Sequence, residues 1–422
     1  MALLLVLPAL FGLFTSGIAE SLLARGLEGQ GAARQDSQVE RGWFSSALNQ
    51  RFRLTDGGLA EFLALATGVD SAAELIVSSQ MRHGPLPGWT PGLAAADTSY
   101  RIVAADGSTH EVPASSSSRV GFTGRTTTEL ELGAFPRRCR PGRGCLDSGG
   151  GRFRSVQPPG DGRWTLTGAL GPLALEGPDG RIALGRLSID ARARIEDALP
   201  RSGQGLLNFE SIAITDPQQN TVTLDSLDVT SELAVAEHRF SQSFSLDAPR
   251  IVSASGDEGH VRLSVAARDL DAPTVYGIGR ELAGEPPADR PRRVGQLLMA
   301  QWQELAVHGP SVTLEELEFA GVPDSASASL HLALPPASGR ADRGLLATLY
   351  EHLDGRFSVA LSEGVIRSIS AGNPDQGQRL AALISLGYLE FRDGRYRMSG
   401  TYAGRLLTVN GRPLPLPALP GL

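Results

Sequence analysis

Single-residue alternation of apolar and polar side chains dominates the chain beyond residue 160 and limits what it can fold into. The alternating apolar pairs, in chain order, are Trp164/Leu166, Leu173/Leu175, Ile182/Leu184, Leu187/Ile189, Val222/Leu224, Leu227/Val229, Leu233/Val235, Phe244/Leu246 and Val261/Leu263/Val265. Because successive residues of a strand point to opposite faces, this pattern predicts antiparallel sheet with one apolar and one solvated face. The phase changes across Gly185 and Ser226, which indicates bulges or tight turns there.

Three segments instead repeat with the 3.6-residue period of amphipathic helices. Residues 294–309, 342–355 and 375–389 each carry one apolar stripe, and we expect each to pack on a sheet. Asp393-Gly394 is a strong signal for a two-residue hairpin turn, and Asn410-Gly411 predicts another turn. The expected fold is therefore α+β and β-rich: extended, curved antiparallel sheets with a few docked amphipathic helices, behind an N-terminal hydrophobic anchor helix.

The chain before residue 160 is less regular. Residues 75–79 predict a strand, whereas "PASSSSRVG" (113–121) and "CLDSGGGRFRSVQPPGDG" (145–162) are rich in Gly, Pro and Ser and predict loops. The expected divisions are an anchor (1–19), a stalk (20–40), an N-terminal β-rich region with a Cys loop (41–158), an antiparallel β region (159–285) and a C-terminal α+β region with a terminal hairpin (286–422).

The N-terminus is nearly all apolar from Ala2 to Ala19. This length lies at the short end of the roughly 17–25 residues that a membrane-spanning helix needs. The segment is either an uncleaved anchor or a cleaved signal peptide, with Gly17 and Ala19 as the small residues of a cleavage site. Either alternative places the body of the protein outside the cytoplasm.

The two cysteines, Cys139 and Cys145, lie close together in "PRRCRPGRGCLD". Two thiols do not complete a four-ligand zinc site, and the spacing is not the C-x-x-C of a redox motif. We expect a small surface disulfide, which would form in an oxidising compartment.

Charge and motifs exclude several functional classes. The formal net charge of −7 argues against nucleic-acid binding, since neutralising phosphates needs a basic surface. No nucleotide-binding, nucleophile-elbow or zinc-protease motif is present, and the histidines are scattered singly. We expect no enzyme activity, no cofactor and no metal. His83 and His308 each precede Gly-Pro, either as the entry to a turn, with the imidazole donating to a carbonyl, or as equivalent ligands.

Several segments together carry a family resemblance. They are the N-terminal apolar segment with Gly17 and Glu20, "RGWFSS" (41–46), "VSSQMRHGPLP" (77–87) and "LISLGYLEFRDGRYRMSGTYAGRLLTVNGRPLPL" (383–416). In their order and spacing the chain resembles the YdgA-like family, bacterial envelope proteins that carry a domain of unknown function. The resemblance implies an N-terminally anchored envelope protein and no established reaction. The family-motif residues, which we expect to be structural, are Arg41, Gly42, Trp43, Phe44, Ser45, Ser46, His83, Gly84, Pro85, Asn410 and Gly411.

Within "RGWFSS" an aromatic pair follows a charge close to the apolar N-terminus. We expect an early strand in which Trp43 and Phe44 point to opposite faces, with Trp43 packed beneath a sheet or helix. The alternative is that one of the two rings lies at the bilayer interface, where aromatic residues are favoured, or lines an apolar groove.

These features favour a non-enzymatic, single-pass protein of the bacterial inner membrane whose body lies in the periplasm, or a periplasmic protein if the signal is cleaved. A curved sheet with one apolar face would bind a hydrophobic ligand, a lipid or a partner protein. The alternative is an envelope assembly or scaffold protein that engages other proteins or forms a homo-oligomer.

Overall fold

The computed structural model describes most of the chain as antiparallel sheet in two compact units. The described residues are 32–41, 45–54, 57–69, 72–83, 92–140, 144–160, 162–197, 199–282, 290–321, 324–336 and 345–414. Among these, the residues up to 221 together with 281–282 and 290–291 form the N-terminal unit, and the residues from 222 to 280 together with those from 292 onward form the C-terminal unit.

The N-terminal unit contains a main sheet and a smaller ribbon. Its strands are β1 (Ala32–Arg41), β2 (Ser45–Leu54), β3 (Ala72–His83), β4 (Ala94–Ala104), β5 (Thr109–Val120), β6 (Thr126–Leu132), β7 (Phe135–Arg140), β8 (Gly144–Ser148), β9 (Gly151–Gln157), β10 (Gly162–Leu170), β11 (Leu173–Gly177), β12 (Gly180–Leu184), β13 (Leu187–Glu196), β14 (Leu199–Phe209) and β15 (Ile212–Thr215). The main sheet has the order β1-β2-β3-β4-β5-β6-β9-β10-β13-β14, and the ribbon has the order β7-β8-β11-β12-β15, with antiparallel pairing throughout.

Glycines lie at the connections where the chain passes between the main sheet and the ribbon. Gly150, between β8 and β9, has φ +73°, and a Cβ there would lie 2.6 Å from the carbonyl oxygen of Leu132. At Gly185, between β12 and β13, a Cβ would lie 2.5 Å from Ser211 Oγ. A side chain at either position would push the neighbouring strand away. The phase change predicted at Gly185 therefore marks the break between β12, which belongs to the ribbon, and β13, which belongs to the main sheet.

An apolar helix, α1 (Gly57–Thr67), packs against both the main sheet and the ribbon. Leu63 and Ala64 join the buried cluster of the main sheet, while Leu65 and Ala66 pack against Phe135 and Leu146 of the ribbon. A helix with apolar residues on all sides is typical of a buried position. Periodicity alone does not distinguish such a short apolar run from a buried strand.

The serine-rich segment 113–121, predicted to be a loop, is largely strand β5. Ser116 and Ser118 face the buried side, where the Ser116 hydroxyl contacts Tyr100 Oη at 3.2 Å and the Ser118 hydroxyl contacts Thr128 Oγ1 at 2.8 Å. Cross-strand hydroxyl pairs satisfy these buried polar groups and override the turn preference of serine. The second loop prediction, 145–162, was also wrong, because most of this segment forms β8 and β9.

The C-terminal unit is an open antiparallel sheet. Its strands are β16 (Thr221–Leu224), β17 (Leu227–Ala236), β18 (Arg239–Val252), β19 (Glu258–Asp271), β20 (Ser311–Gly321), β21 (Ser325–Ala333), β22 (Asp354–Ser362), β23 (Glu390–Arg392), β24 (Arg395–Ala403), β25 (Leu406–Val409) and β26 (Arg412–Leu414). The central order is β18-β19-β20-β21-β22-β24. β16 and β17 pair with β18, and β23 and β25 pair with β24. Ser226 separates β16 from β17, as its phase change predicts.

Six further helices accompany this sheet among the described residues. They are α2 (Ala272–Leu282), α3 (Arg290–Ala300), α4 (Trp302–Leu305), α5 (Leu345–His352), α6 (Glu363–Gly372) and α7 (Pro374–Ser385). The helix predicted for 294–309 is divided between α3 and α4, and α2 and α6 were not predicted. The hairpin turn at Asp393-Gly394 is confirmed, with positive φ at both residues.

The segment around "RGWFSS" differs from its expectation. Residues 32–40, assigned above to a stalk, belong to β1. Arg41 ends β1 and pairs with Ser46 of β2, so the motif spans a hairpin connection and is not a single strand. Trp43 and Phe44 lie outside the described residues, as does the expected anchor segment. Among the residues that the structure describes, no helix has the length and apolar character required to span a bilayer.

Candidate functional site

One side of the central C-terminal sheet is a continuous apolar surface, here called the C-terminal apolar face. Cross-strand neighbours form three parallel rows over the six strands β18 to β22 and β24. The rows are Phe244–Val265–Leu314–Leu330–Phe357–Gly400, Leu246–Leu263–Leu317–Ala328–Val359–Met398 and, from β19 onward, Val261–Phe319–Ala326–Leu361–Tyr396. Between its outer strands the face measures about 24 Å, since neighbouring strands lie roughly 4.8 Å apart.

A β-bulge keeps the apolar residues of β20 in phase. The pairing register of β20 with β21 shifts between Leu314 and Leu317, and the two residues inside the shift are Glu315 and Glu316. Without the extra residue, Leu314 and Leu317 would fall on opposite faces, because they are three positions apart. The sequence "TLEELEF" therefore supplies three apolar residues to one face although it breaks strict alternation.

None of the residues in these rows is buried, although Ala248, which pairs with Val261 at the β18 end of the third row, is only 1% exposed. Phe244 is 38% exposed, Leu317 40% and Phe319 39%, and the remaining members are partly exposed. By contrast, Leu130 and Phe153 on the inner face of the N-terminal main sheet are 2% and 1% exposed. The clusters of buried apolar side chains found among the described residues all lie in the N-terminal unit. The C-terminal apolar face thus has the composition of a core, but its side chains remain partly exposed.

A glycine shapes the far end of this face. A Cβ at Gly400 would lie 2.5 Å from Cε1 and 2.6 Å from Cζ of Phe357, so the ring of Phe357 lies directly over Gly400. The flat ring of Phe357 lies against the backbone of β24 at Gly400. Close ring-over-glycine packing keeps this end of the face smooth and apolar.

The opposite side of the same sheet is polar and internally paired. Arg262 contacts Asp247 at 3.4 Å, and Arg268 contacts Glu315 at 2.8 Å. Arg250 hydrogen-bonds both Asp225 and Glu258, and its guanidinium holds the pKa of the Glu258 carboxyl below the usual value. Such exposed ion pairs contribute little stability but keep this side hydrated.

The histidines do not assemble a reactive site in the described part of the chain. His308 Nε2 lies 3.4 Å from Asp271 Oδ1, and Asp271 also accepts a hydrogen bond from the backbone N–H of Thr274 at the start of α2. The partner of His308 is therefore a helix-capping carboxylate and not a carbonyl. The side chain of His83 lies outside the described residues, so its proposed equivalence to His308 stays a prediction.

Sequence reading missed one Asp-Ser-His cluster in the β4–β5 turn. The Ser108 hydroxyl donates to Asp106 Oδ1 at 2.6 Å and lies 2.8 Å from His110 Nε2. A nucleophilic serine needs histidine as its base, with the carboxylate behind the histidine. Here the Ser108 hydroxyl donates its hydrogen bond to the carboxylate of Asp106. This hydrogen bond lowers the pKa of Asp106, and the cluster closes the β4–β5 turn.

The remaining motif residues have structural positions. Asn410, at φ +47°, accepts hydrogen bonds from the backbone N–H of Ser399 at 2.9 Å and donates to the carbonyl of Tyr388 at 3.0 Å. Gly411 completes this turn between β25 and β26 with φ +78°, as the Asn-Gly pair predicts. Ser45 and Ser46 begin β2, and Gly42, Gly84 and Pro85 lie outside the described residues.

The two cysteines form a disulfide, as predicted. Cys139 and Cys145 are directly opposite each other in β7 and β8, with their sulfur atoms 2.14 Å apart. Next to them, Arg138 donates to the carbonyl of Ala66 at the end of α1. The bridge therefore closes the hairpin that holds α1 against the ribbon.

No cofactor site was expected, and none is assigned. Within the described ranges, no group of three or more His, Cys, Asp or Glu side chains is arranged to hold a metal ion. The expectation that the protein uses no metal or cofactor stays a prediction.

Most strands of the C-terminal apolar face were not predicted individually. The signal was present in "ASLHLAL" and "RFSVAL", where apolar residues alternate through β21 and β22. In β20 the bulge at Glu315 and Glu316 interrupts the alternation of apolar residues. The general prediction of one-sided sheet was nevertheless correct for these strands.

Comparison with known proteins gives a family match. A family model described as "Bacterial protein of unknown function (DUF945)" matches residues 2–417, which is nearly the whole chain. No curated protein and no solved structure matches the chain.

Proposed function

Because the chain belongs to this bacterial family of unknown function, we propose a function from its geometry: the C-terminal apolar face binds lipid acyl chains in the cell envelope, without catalysing a reaction. Within the family we place the chain among the YdgA-like proteins, on the motifs quoted above.

The observation that carries this proposal is an apolar sheet face whose three rows of side chains all remain at least partly exposed to solvent. Three rows of aliphatic and aromatic side chains cross the six strands from β18 to β24, and several members are about 40% exposed. Contiguous exposed apolar patches on soluble proteins rarely exceed a few hundred Å² and usually mark binding surfaces. Keeping this face open to water costs free energy that a bound apolar ligand would recover.

The chemistry of the face favours acyl chains over a protein partner. Protein interfaces typically contain about one hydrogen bond per 100–200 Å². The three rows offer no polar side chain other than the hydroxyl of Tyr396 at their edge. Acyl chains need no hydrogen bonds and gain about 0.8 kcal/mol for each methylene that is fully buried. A smooth aliphatic surface suits a flexible chain of methylenes.

The same proposal places the protein at the bacterial inner membrane with its body in the periplasm. Support comes from the apolar segment at residues 2–19, which is long enough to act as an anchor, and from the disulfide, which persists in an oxidising compartment. A tether would hold the apolar face close to a bilayer. N-terminal sequencing of the mature protein will distinguish an anchor from a cleaved signal.

Native mass spectrometry of the detergent-extracted protein tests the binding proposal. We expect the wild type to carry phospholipid and the Leu317→Asp variant to lose it, because the new carboxylate lies in the middle row. The matched control is Thr401→Asp, which adds the same charge at an exposed position on the polar side of β24.

Lipid-free wild-type protein, or equal loss in both variants, would overturn the proposal. Lipid-free protein that forms a defined homo-oligomer would favour the alternative of an envelope scaffold.

A further inference from the structure

The ribbon of the N-terminal unit has a second apolar surface, separate from the C-terminal apolar face. Two rows of cross-strand neighbours define it over β11, β12 and β15, and it is called the ribbon face below. The rows are Leu175–Ile182–Ile214 and Leu173–Leu184–Ile212. In the first row the three side chains are 46%, 44% and 48% exposed, so this surface is open to solvent.

The open rows continue an interface that the protein already makes with its own helix. Leu175 is the cross-strand neighbour of Leu146 in β8, and Leu146 is only 2% exposed because Leu65 and Ala66 of α1 cover it. Leu173 packs partly against the same cluster. One continuous apolar surface is therefore covered by a helix at β7 and β8 and uncovered from β11 to β15.

The width of the uncovered part matches a helix. Three strands span about 10 Å between their axes, which is close to the roughly 10–12 Å diameter of an α-helix with its side chains. The six residues are all Leu or Ile, and a protein partner is favoured here because a helix, α1, already packs on the adjoining part of the same surface. The covered part shows that small and branched residues of a helix, such as Ala66 and Leu65, pack well on this surface.

We propose that the ribbon face docks an apolar or amphipathic helix of a partner protein beside α1, extending the packing that α1 begins. Helix-in-groove recognition of this kind uses apolar side chains at helical spacing as anchors. The disulfide-closed β7–β8 hairpin and Arg138, which donates to the carbonyl of Ala66, fix α1 and with it one wall of the docking surface. This inference does not depend on lipid binding by the C-terminal unit.

The test measures binding of a synthetic helix to the full-length protein. The probe is a fluorescein-labelled amphipathic peptide of about 18 residues, long enough to form a helix, with a Leu/Ala stripe and a Glu/Lys face. Fluorescence anisotropy follows its binding to protein reconstituted in nanodiscs, with empty nanodiscs as a blank.

Adjacent residues of β12 provide matched variants. Ile182 belongs to the ribbon face, whereas Arg181 is exposed on the opposite side of the same strand. We expect Ile182→Asp to weaken peptide binding at least tenfold and Arg181→Asp to change it less than twofold. Ile214→Asp provides a second variant in the same row, and circular dichroism confirms that each variant is folded.

Absence of saturable binding by the wild type, or equal effects of Ile182→Asp and Arg181→Asp, would overturn the proposal. So would displacement of the peptide by palmitate with retention of the Ile182→Asp effect, since the ribbon face would then be a lipid site. Loss of lipid from Leu317→Asp is a separate readout, so the two proposals fail independently.

Discussion

Replacing Leu317 with alanine should lower the free energy of unfolding far less than the same change at a buried position of the C-terminal unit. Leu317 lies in the middle of the apolar face and is 40% exposed, whereas Leu389 is 2% exposed. Full burial of a leucine contributes about 1.5–3 kcal/mol, and truncating a buried leucine costs about 2–5 kcal/mol because a cavity adds to the loss.

The magnitudes follow from these exposures. Leu317 is only partly removed from water in the folded state, and its truncation leaves no closed cavity because the site opens to solvent. We expect Leu317→Ala to cost about 1 kcal/mol and Leu389→Ala about 3 kcal/mol. Leu389→Ala is the matched control, since the chemical change and the structural unit are the same.

Urea unfolding followed by tryptophan fluorescence and circular dichroism measures both values. Trp302, 8% exposed, reports on the C-terminal unit. Equal losses of about 3 kcal/mol in the two variants would refute the reasoning, because the face would then be packed as a core and unavailable to a ligand.

Three further outcomes are expected. Gly150→Ala should lower the stability of the N-terminal unit by more than about 2 kcal/mol in thermal unfolding, since the new Cβ would lie 2.6 Å from the Leu132 carbonyl oxygen. The control is Gly107→Ala, which also has a positive φ but open space around the Cβ and therefore measures the backbone penalty alone. The double variant Cys139→Ser/Cys145→Ser should lose about 2 kcal/mol through the added freedom of the unfolded chain, and a reductant should change the wild type equally but not the variant. Burial raises the pKa of Tyr100 above its ordinary value of 10.0. The stability that its neutral form contributes should therefore be complete below pH 10.0 and decline above it. Tyr100→Phe should show a shallower loss of stability in alkaline unfolding, and an unchanged pH profile would contradict this origin.

The one-sided sheet could be predicted from sequence because alternation is a local property. Leu263 and Val265 alternate with polar neighbours, and in the structure they lie side by side on the apolar face. Turns that require positive φ could also be predicted from sequence, as Asp393-Gly394 and Asn410-Gly411 demonstrate.

The remaining errors arose where tertiary contacts outweigh local preference. The serines of β5 form a strand because buried hydroxyl partners on β4 and β6 satisfy them, and those partners are not apparent from the local sequence. The bulge at Glu315 and Glu316 broke the alternation of β20 and concealed part of the candidate site. The short apolar run of α1 carried no period that separates helix from strand.

Openness of the C-terminal apolar face could not be predicted from its residues. Leu330 and Val359 are residue types typical of a core, and only the three-dimensional arrangement shows that their side chains stay partly exposed. The pattern of a strand specifies which face is apolar, but what packs on that face depends on distant parts of the chain.

Cellular photocrosslinking with a diazirine-bearing palmitate, followed by mapping of the labelled peptides, tests the central claim most directly. We predict adducts on Phe244, Leu317 and Phe319, reduced by Leu317→Asp and retained in Thr401→Asp. Absence of adducts in the C-terminal unit, or labelling confined to the polar side of its sheet at positions such as Arg262 and Thr401, would contradict the account.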